Sequence, residues 1–478
     1  MKEFRIIKIL AHTFFIVLFV FAVVFYIERI LYADGSFYTF KILCFEKFNI
    51  ESGRYMAFLT QILPLILVKM HAGLKAVMVS YSVSFVVIYY LIFLICMYVF
   101  SSFRAGLATT FVLFLGISDC SMYPLTELQL GLIFCVLFYG FLEYYFLHEQ
   151  QFTFAKKAAQ LLFGGMIILM CLFSHPTTLF PVFFILGFQY IDKGLYKNKT
   201  IYFFAFLALV FYSAKFLSVD RNSYEGQQMG PLKNMLAILE KFSNINSVHF
   251  FLKFILKGIY VLPLLLFLVT IVYYFVKRNY LKLAFIIVTT FGFFIILMVV
   301  FSPGDIDVGM EKNIMPLWIF IALPFVHDLL FHKFRHFFVQ PLIYTVVVIA
   351  GLTWFYRATV IYSDRLNYMK QLIETSSDTV QSSKIIVEKK NLNIYRVGST
   401  WSYANETLLL SSLDGPQNAK TVYVVDDRNQ LKDDDLQKND VYLCVPFWLK
   451  WNYSSLNQRY FQLPLQPYQI FESRVTGE

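Results

Sequence analysis

Residues 9–40 read "ILAHTFFIVLFVFAVVFYIERILYADGSFYTF". No Asp, Glu, Lys or Arg interrupts the run before Glu28. A helix needs ~20 such residues to cross a bilayer. The run then gives way to Glu28, Arg29 and the polar triplet Asp34, Gly35, Ser36. Gly and Ser suit a turn for steric and hydrogen-bonding reasons. A turn does not by itself require the aspartate. The meaning of a carboxylate at the lip of a hydrophobic helix depends on which side of a membrane it faces.

The rest of the chain agrees with a membrane reading. Of its 478 residues, 58% are hydrophobic, 19% aromatic and only 15% charged, and the mean hydropathy is +0.61. Soluble domains carry about 25% charged residues. The apolar runs are continuous rather than alternating, which points to a helical bundle and not a barrel. About eleven spans are expected on length, near 9–32, 75–99, 105–118, 129–147, 159–174, 177–191, 200–217, 257–276, 281–301, 313–331 and 338–356. The stretch "YMAFLTQILPLILVKM" at 55–70 is short and interrupted by Pro64, so it is expected to lie at the interface without crossing.

Charge sets the expected orientation. With a cytoplasmic N-terminus, the inner segments are "MKEFRIIK", "SSFRAG", "HEQQFTFAKKA", "DKGLYKNK", "KRNYLK" and "HKFRHF", and each carries Lys or Arg. Lys41, Lys47, Lys69 and Lys75 run against the pattern, because they fall in an outer loop. The net charge of +10 then reflects topology and anionic lipid headgroups, not nucleic-acid binding. No small-residue cleavage site follows the first run, so that helix is expected to stay as an anchor in the cytoplasmic membrane. The six cysteines form no CxxC pair and no zinc-like spacing with histidine. They read as small apolar residues within helices.

On this topology the outer loops gather carboxylates and single histidines. The first holds Asp34, Glu46, Glu51 and Arg54; later ones hold Asp119, Tyr123 and Glu127, then His175. Loop 218–256 holds Asp220, Arg221, Glu225 and His249, and the last holds Asp305, Asp307, Glu311 and Lys312. Any one of them reads as an ordinary solvated charge. Their collection at span ends reads as a site. From Tyr362 polar residues return, and 359–478 is expected to form a small extracytoplasmic α/β domain after a membrane domain at 1–358. A helix leaves the last span, and "SKIIVEK", "NIYRVG", "KTVYVVDD" and "DVYLCVPF" read as short strands. "PFWLKW", with Phe447, Trp448 and Trp451, reads as domain core or as a sugar-stacking edge. No phosphate-binding glycine loop, GxSxG or HExxH is present.

One span, a long outer loop opening on an aspartate, interfacial helices in that loop, a multi-span bundle and a terminal outer domain together resemble the GT-C superfamily of integral-membrane glycosyltransferases. The arrangement is similar to bacterial lipid-A sugar transferases and protein mannosyltransferases. "YADGSFY" stands at the family's first-loop acidic motif, with one acid where two adjacent ones are common. "MEKNIMPLW" resembles the later basic-then-proline stretch, with Lys312 where an arginine often stands. The resemblance implies a hexosyl or pentosyl transferase that takes a sugar from a polyprenyl-phosphate carrier and gives it to an acceptor at the outer face. It implies Asp34 as the general base. Arg54 and Lys312, with Arg221 behind them, would stabilise the departing phosphate. Glu127 or His175 would orient the acceptor. Asp305 and Asp307 form a DxD-like "GDID", to which no metal is assigned. No cofactor is implied.

Other classes stay open. A flippase, transporter or polymerase for lipid-linked glycans would carry internal repeats and polar residues deep in its spans. A scaffold with an outer binding domain would tolerate loss of every outer carboxylate. The topology has a direct test. A cysteine introduced at position 435, with the native cysteines removed, is expected to react with an impermeant label in intact cells. Labelling only after lysis would invert the orientation.

Overall fold

The computed structural model describes residues 5–124, 127–220, 226–227, 230–334, 338–431, 437–444 and 451–472. Helices α1 (Arg5–Val24), α2 (Tyr26–Ile30) and α3 (Asp34–Phe45) open the chain, followed by α4 (Phe58–Lys69), α5 (Leu74–Leu94) and α6 (Phe103–Phe114). Then come α7 (Glu127–His148), α8 (Phe154–Ser174), α9 (Leu179–Asp192) and α10 (Lys199–Leu217). The chain is a multi-spanning α-helical membrane protein with a small C-terminal β-sheet domain.

Among the described residues seven helices are long and apolar enough to cross a membrane, or nine if two bent pairs each count as one span. The pairs are Asn246–Leu256 with Val261–Val276, bent by 91°, and Asp307–Ile314 with Pro316–Lys333, bent by 43°. Each segment expected to span contains a helix. The lower count reflects these bends and two helices, α6 and α9, of only 12 and 14 residues. Burial explains α6: every residue from Ala105 to Phe114 is inside the bundle, so it need not match the bilayer. The helix α7 is apolar all round and central, as such a pattern requires. The exposed apolar faces of α1, α10 and Tyr280–Val300 form the surface that lipid would cover.

Both ends of α4 lie at the same end of the bundle. Arg54, just before it, pairs with Glu127 at the start of α7. Ala72, just after it, accepts a hydrogen bond from Tyr460 of the C-terminal domain at 3.0 Å. Between them α4 runs back along α5, where the Ser84 hydroxyl donates to the Thr60 carbonyl at 2.6 Å.

The last membrane helix, Val339–Val380, is continuous for 42 residues and enters the C-terminal domain without a break. The division expected at 358/359 falls midway along it. Strands β1 (Lys384–Glu388) and β2 (Thr421–Val425) pair in parallel, and β5 (Gln469–Phe471) flanks β1 in the order β2-β1-β5. Parallel neighbours need a crossover, and helix Tyr403–Ser411 supplies it. All of β2 is buried, as a sheet covered on both faces demands. "NIYRVG", expected as a strand, is instead a helical turn at Ile394–Val397, ended by Gly398 at φ +71°. "DVYLCVPF" shortens to β3 (Val441–Tyr442), paired antiparallel with β4 (Trp451–Asn452). Phe447 and Trp448 lie outside the described residues.

One buried ion pair fastens this domain to the first loop. Arg365, on the long helix, donates to the Glu406 carboxylate and to the carbonyls of Leu31 at 2.8 Å and Val397 at 2.9 Å. Glu406 is fully buried and accepts the backbone N–H of Ala33 at 2.8 Å. Glu406→Ala strands the Arg365 guanidinium without a counter-ion. The expected cost is about 3–5 kcal/mol, read from unfolding in detergent. A change under about 1 kcal/mol, the value of an exposed pair, would show that the clamp carries little.

Candidate functional site

The turn before α3 is built from short contacts. Ala33 sits at φ +46°, a left-handed conformation costly for a residue with a Cβ. The Glu406 carboxylate on its N–H holds it there. The Ser36 hydroxyl donates to the Ala33 carbonyl at 2.9 Å and contacts Ser402 Oγ at 3.2 Å, and Ser402 in turn donates to Glu406 at 2.7 Å. A Cβ at residue 35 would lie 2.6 Å from the Ile30 carbonyl oxygen, so only glycine fits. The triplet Asp34, Gly35, Ser36 is thus a clamped corner that makes Asp34 the first residue of α3.

Asp34 faces a cavity of about 790 Å³. Arg54, Glu127, Asp305 and Lys312 share its walls, with Tyr123, Trp401 and Ser399 beside them. Five of the candidate site residues therefore meet in one space, drawn from four separate segments. Tyr123 donates a short hydrogen bond to the Asp34 carboxylate. The Lys312 ammonium lies 5.9 Å from the Tyr123 ring centre. Arg54 pairs with buried Glu127 at 3.0 Å, and the Tyr38 hydroxyl reaches the other Glu127 oxygen at 3.3 Å. Burial pushes the Asp34 carboxyl above the ordinary carboxylate range. Lys312 pulls it down, Glu127 pushes it up, and the Tyr123 hydrogen bond and Arg54 pull it down again.

A second, largely apolar groove of about 520 Å³ runs between α10 and the helices 176–192 and 280–300. Leu179, Phe180, Leu209, Phe216 and Ile296 line it. It meets the polar cavity at three residues common to both, Arg54, Lys312 and Asn313. His175 belongs to the groove and not to the cavity. Asp307 belongs to neither: it is gripped by Lys253 at 2.7 Å and Lys257 at 3.1 Å. The two acids of "GDID" thus part company, Asp305 into the cavity and Asp307 toward helix Asn246–Leu256. Arg221 and Glu225 lie outside the described residues. Glu311 is structural, its carboxylate accepting the backbone N–H groups of Ser118, Asp119 and Cys120 at 2.7, 3.0 and 3.0 Å.

The opposite end of the bundle holds a polar cluster that sequence reading passed over as the end of an apolar span. His327, Asp328 and His332 bring one ligand atom each within 4.8 Å of one another, close enough to hold a metal ion. Protein groups already compete for all three. Arg104 lies 2.8 Å from His332 Nε2 and 3.5 Å from His327 Nε2, and Asp192 lies 3.0 Å from His327 Nε2. Lys282 bonds to Asp328 at 2.9 Å and also to Asp192. No sequence motif announced this cluster; its only signal was a histidine and an aspartate inside "ALPFVHDLLF". No protein-family model, curated protein or solved structure matches the chain. Arg104→Gln, which removes the cation beside both imidazoles, is expected to raise affinity for Co²⁺ in calorimetric titration. Unchanged affinity would mean that the guanidinium does not occupy the metal's place.

Proposed function

We propose that the protein is a membrane glycosyltransferase that moves a sugar from a polyprenyl-phosphate carrier to an acceptor hydroxyl at the outer face of the cytoplasmic membrane. The observation that carries this reading is the junction of an apolar groove and an acid-bearing cavity at two cations, Arg54 and Lys312. A donor of this class has the same three parts in the same order. Its isoprenoid chain suits the groove, its phosphate suits the cations, and its sugar suits the cavity. The acceptor stays undefined beyond its hydroxyl.

In this reading Asp34 takes the acceptor proton while the acceptor oxygen forms its bond to the anomeric carbon. The anomeric carbon–oxygen bond breaks, and its electron pair stays on the carrier phosphate. Arg54 and Lys312 stabilise the charge that develops there, and in a site screened from water that stabilisation is large. Glu127 fixes Arg54. The raised Asp34 carboxyl is the stronger base for being partly desolvated. The N-terminus would be cytoplasmic and the sheet domain outside.

A carrier would have to open both ends of the bundle. The network of buried Lys282, His327 and Asp328 with half-buried Asp192 ties the opposite end shut, which favours access from one end. Asp34→Asn is expected to leave folding and membrane insertion intact and to lower transfer by about 10²–10⁴. Asp34→Glu should retain little activity, because an ångström of displacement is costly. The base must be ionised, so the wild-type rate should rise with pH through a value above the ordinary ~4 of an aspartate. The assay is transfer of labelled sugar from a polyprenyl-phosphate pool at equal protein level. Full transfer by the Asn variant would sink the assignment.

A further inference from the structure

His175 closes α8 at its C-terminus and begins a short turn through Pro176, Thr177 and Thr178. The ring is buried, with 8% of the residue exposed. Its Nδ1 accepts the backbone N–H of Thr177 at 3.3 Å and lies 2.7 Å from the Thr177 hydroxyl. A nitrogen that accepts an N–H carries no proton of its own. In the neutral imidazole the proton is then on Nε2, which becomes a donor. Among the described residues Nε2 has no protein partner, and the ring stands in the groove wall beside Arg54, Lys312 and Asn313.

We infer that His175 is a third donor to the phosphate of a lipid carrier, giving a directed hydrogen bond from Nε2–H between the two cations. The inference rests on the lipid-phosphate part of the reading above and adds a residue to it. Burial holds the imidazole well below its ordinary range, and Arg54 and Lys312 push it the same way. The ring therefore stays neutral. A neutral donor adds a hydrogen bond to the anion without adding another positive charge beside Arg54, Lys312 and Lys215. It keeps its proton throughout. What changes is the anion: a phosphodiester with one charge becomes a monoester with more, and the bond from Nε2 strengthens with it.

The competing role is that His175 only caps the turn through Nδ1. Two substitutions separate the roles, because each keeps one nitrogen's function. The Oδ1 of His175→Asn stands near Nδ1 and can cap. The Nε2 of His175→Gln stands near the imidazole Nε2 and can donate. The probe is a C15 polyprenyl monophosphate bound by the purified full chain in nanodiscs, with the C15 alcohol and inorganic phosphate as controls.

His175→Asn is expected to keep thermal stability and to weaken the monophosphate about 10- to 100-fold, the range for a hydrogen bond to a charged group. His175→Gln should stay within a few-fold of the wild type. Neither should alter binding of the alcohol. Wild-type affinity in His175→Asn, or equal weakening of phosphate and alcohol, would overturn the inference and leave the transferase reading standing. Inorganic phosphate bound as tightly as the lipid would overturn the lipid assignment. Failure of the wild type to prefer monophosphate over alcohol would overturn both. The expected binding pattern without any sugar transfer would support the inference and remove the transferase.

Discussion

The site depends on one carboxylate, that of Glu406. It lies in the C-terminal domain, is neutralised by Arg365 from the last membrane helix, and accepts the N–H of Ala33 in the first loop. Three parts of the chain meet at a single buried group. An isolated buried carboxylate is strongly disfavoured, so Glu406 is held in place by its partners as firmly as it holds them. The Ile30 carbonyl excludes a Cβ at Gly35, and the left-handed φ of Ala33 follows from Glu406. So does the aim of Asp34, which is the next residue.

The charges of the molecule fall into two populations with different tasks. At the opposite end, Lys282 is shared between Asp192 and Asp328, and the histidines are engaged by Arg104, Asp192 and Tyr139. Such a saturated network favours one arrangement of the helices around it. At the cavity end Arg54 pairs with Glu127, while Asp34, Asp305 and Lys312 line the same open space. Charged groups that line an open cavity keep part of their field available to a ligand. Lys312 illustrates the contrast, resting over the Tyr123 ring and facing both spaces.

Much of the cavity was legible in the sequence, for a reason that belongs to membranes. Spans alternate in direction, so every second loop returns to the same end, and Asp34, Arg54, Glu127, Asp305 and Lys312 could be grouped from loop order alone. What loop order cannot give is where a side chain points. Asp305 and Asp307 are two residues apart, yet a helix starts at Asp307 and turns it toward Lys253. The Arg365–Glu406 clamp had no signature either, since neither residue belongs to a motif. The expected span count exceeds the number of long apolar helices at α6 and α9, whose 12 and 14 residues fall short of a bilayer's thickness. "NIYRVG" has the β-branched and aromatic content of a strand, and the left-handed Gly398 ends it as a helical turn. The three strands β1, β2 and β5 are short, but their apolar residues declare β1 and β2 plainly.

The bond from Ala33 to Glu406 joins residues 373 positions apart. Chains are made and inserted from the N-terminus onward. The loop bearing Asp34 therefore reaches its place long before Glu406 exists, and until then its strained corner has only local contacts such as the Ser36–Ala33 hydrogen bond. The last membrane helix must be threaded, and the sheet domain folded beyond it, before that corner can set. A chain that stops short of residue 406 can retain Asp34, Arg54, Glu127, Asp305 and Lys312 and still lacks the carboxylate that holds Ala33. The corner at Ala33 therefore takes its final shape only once the segment around Glu406 has been made and has folded back onto the first loop.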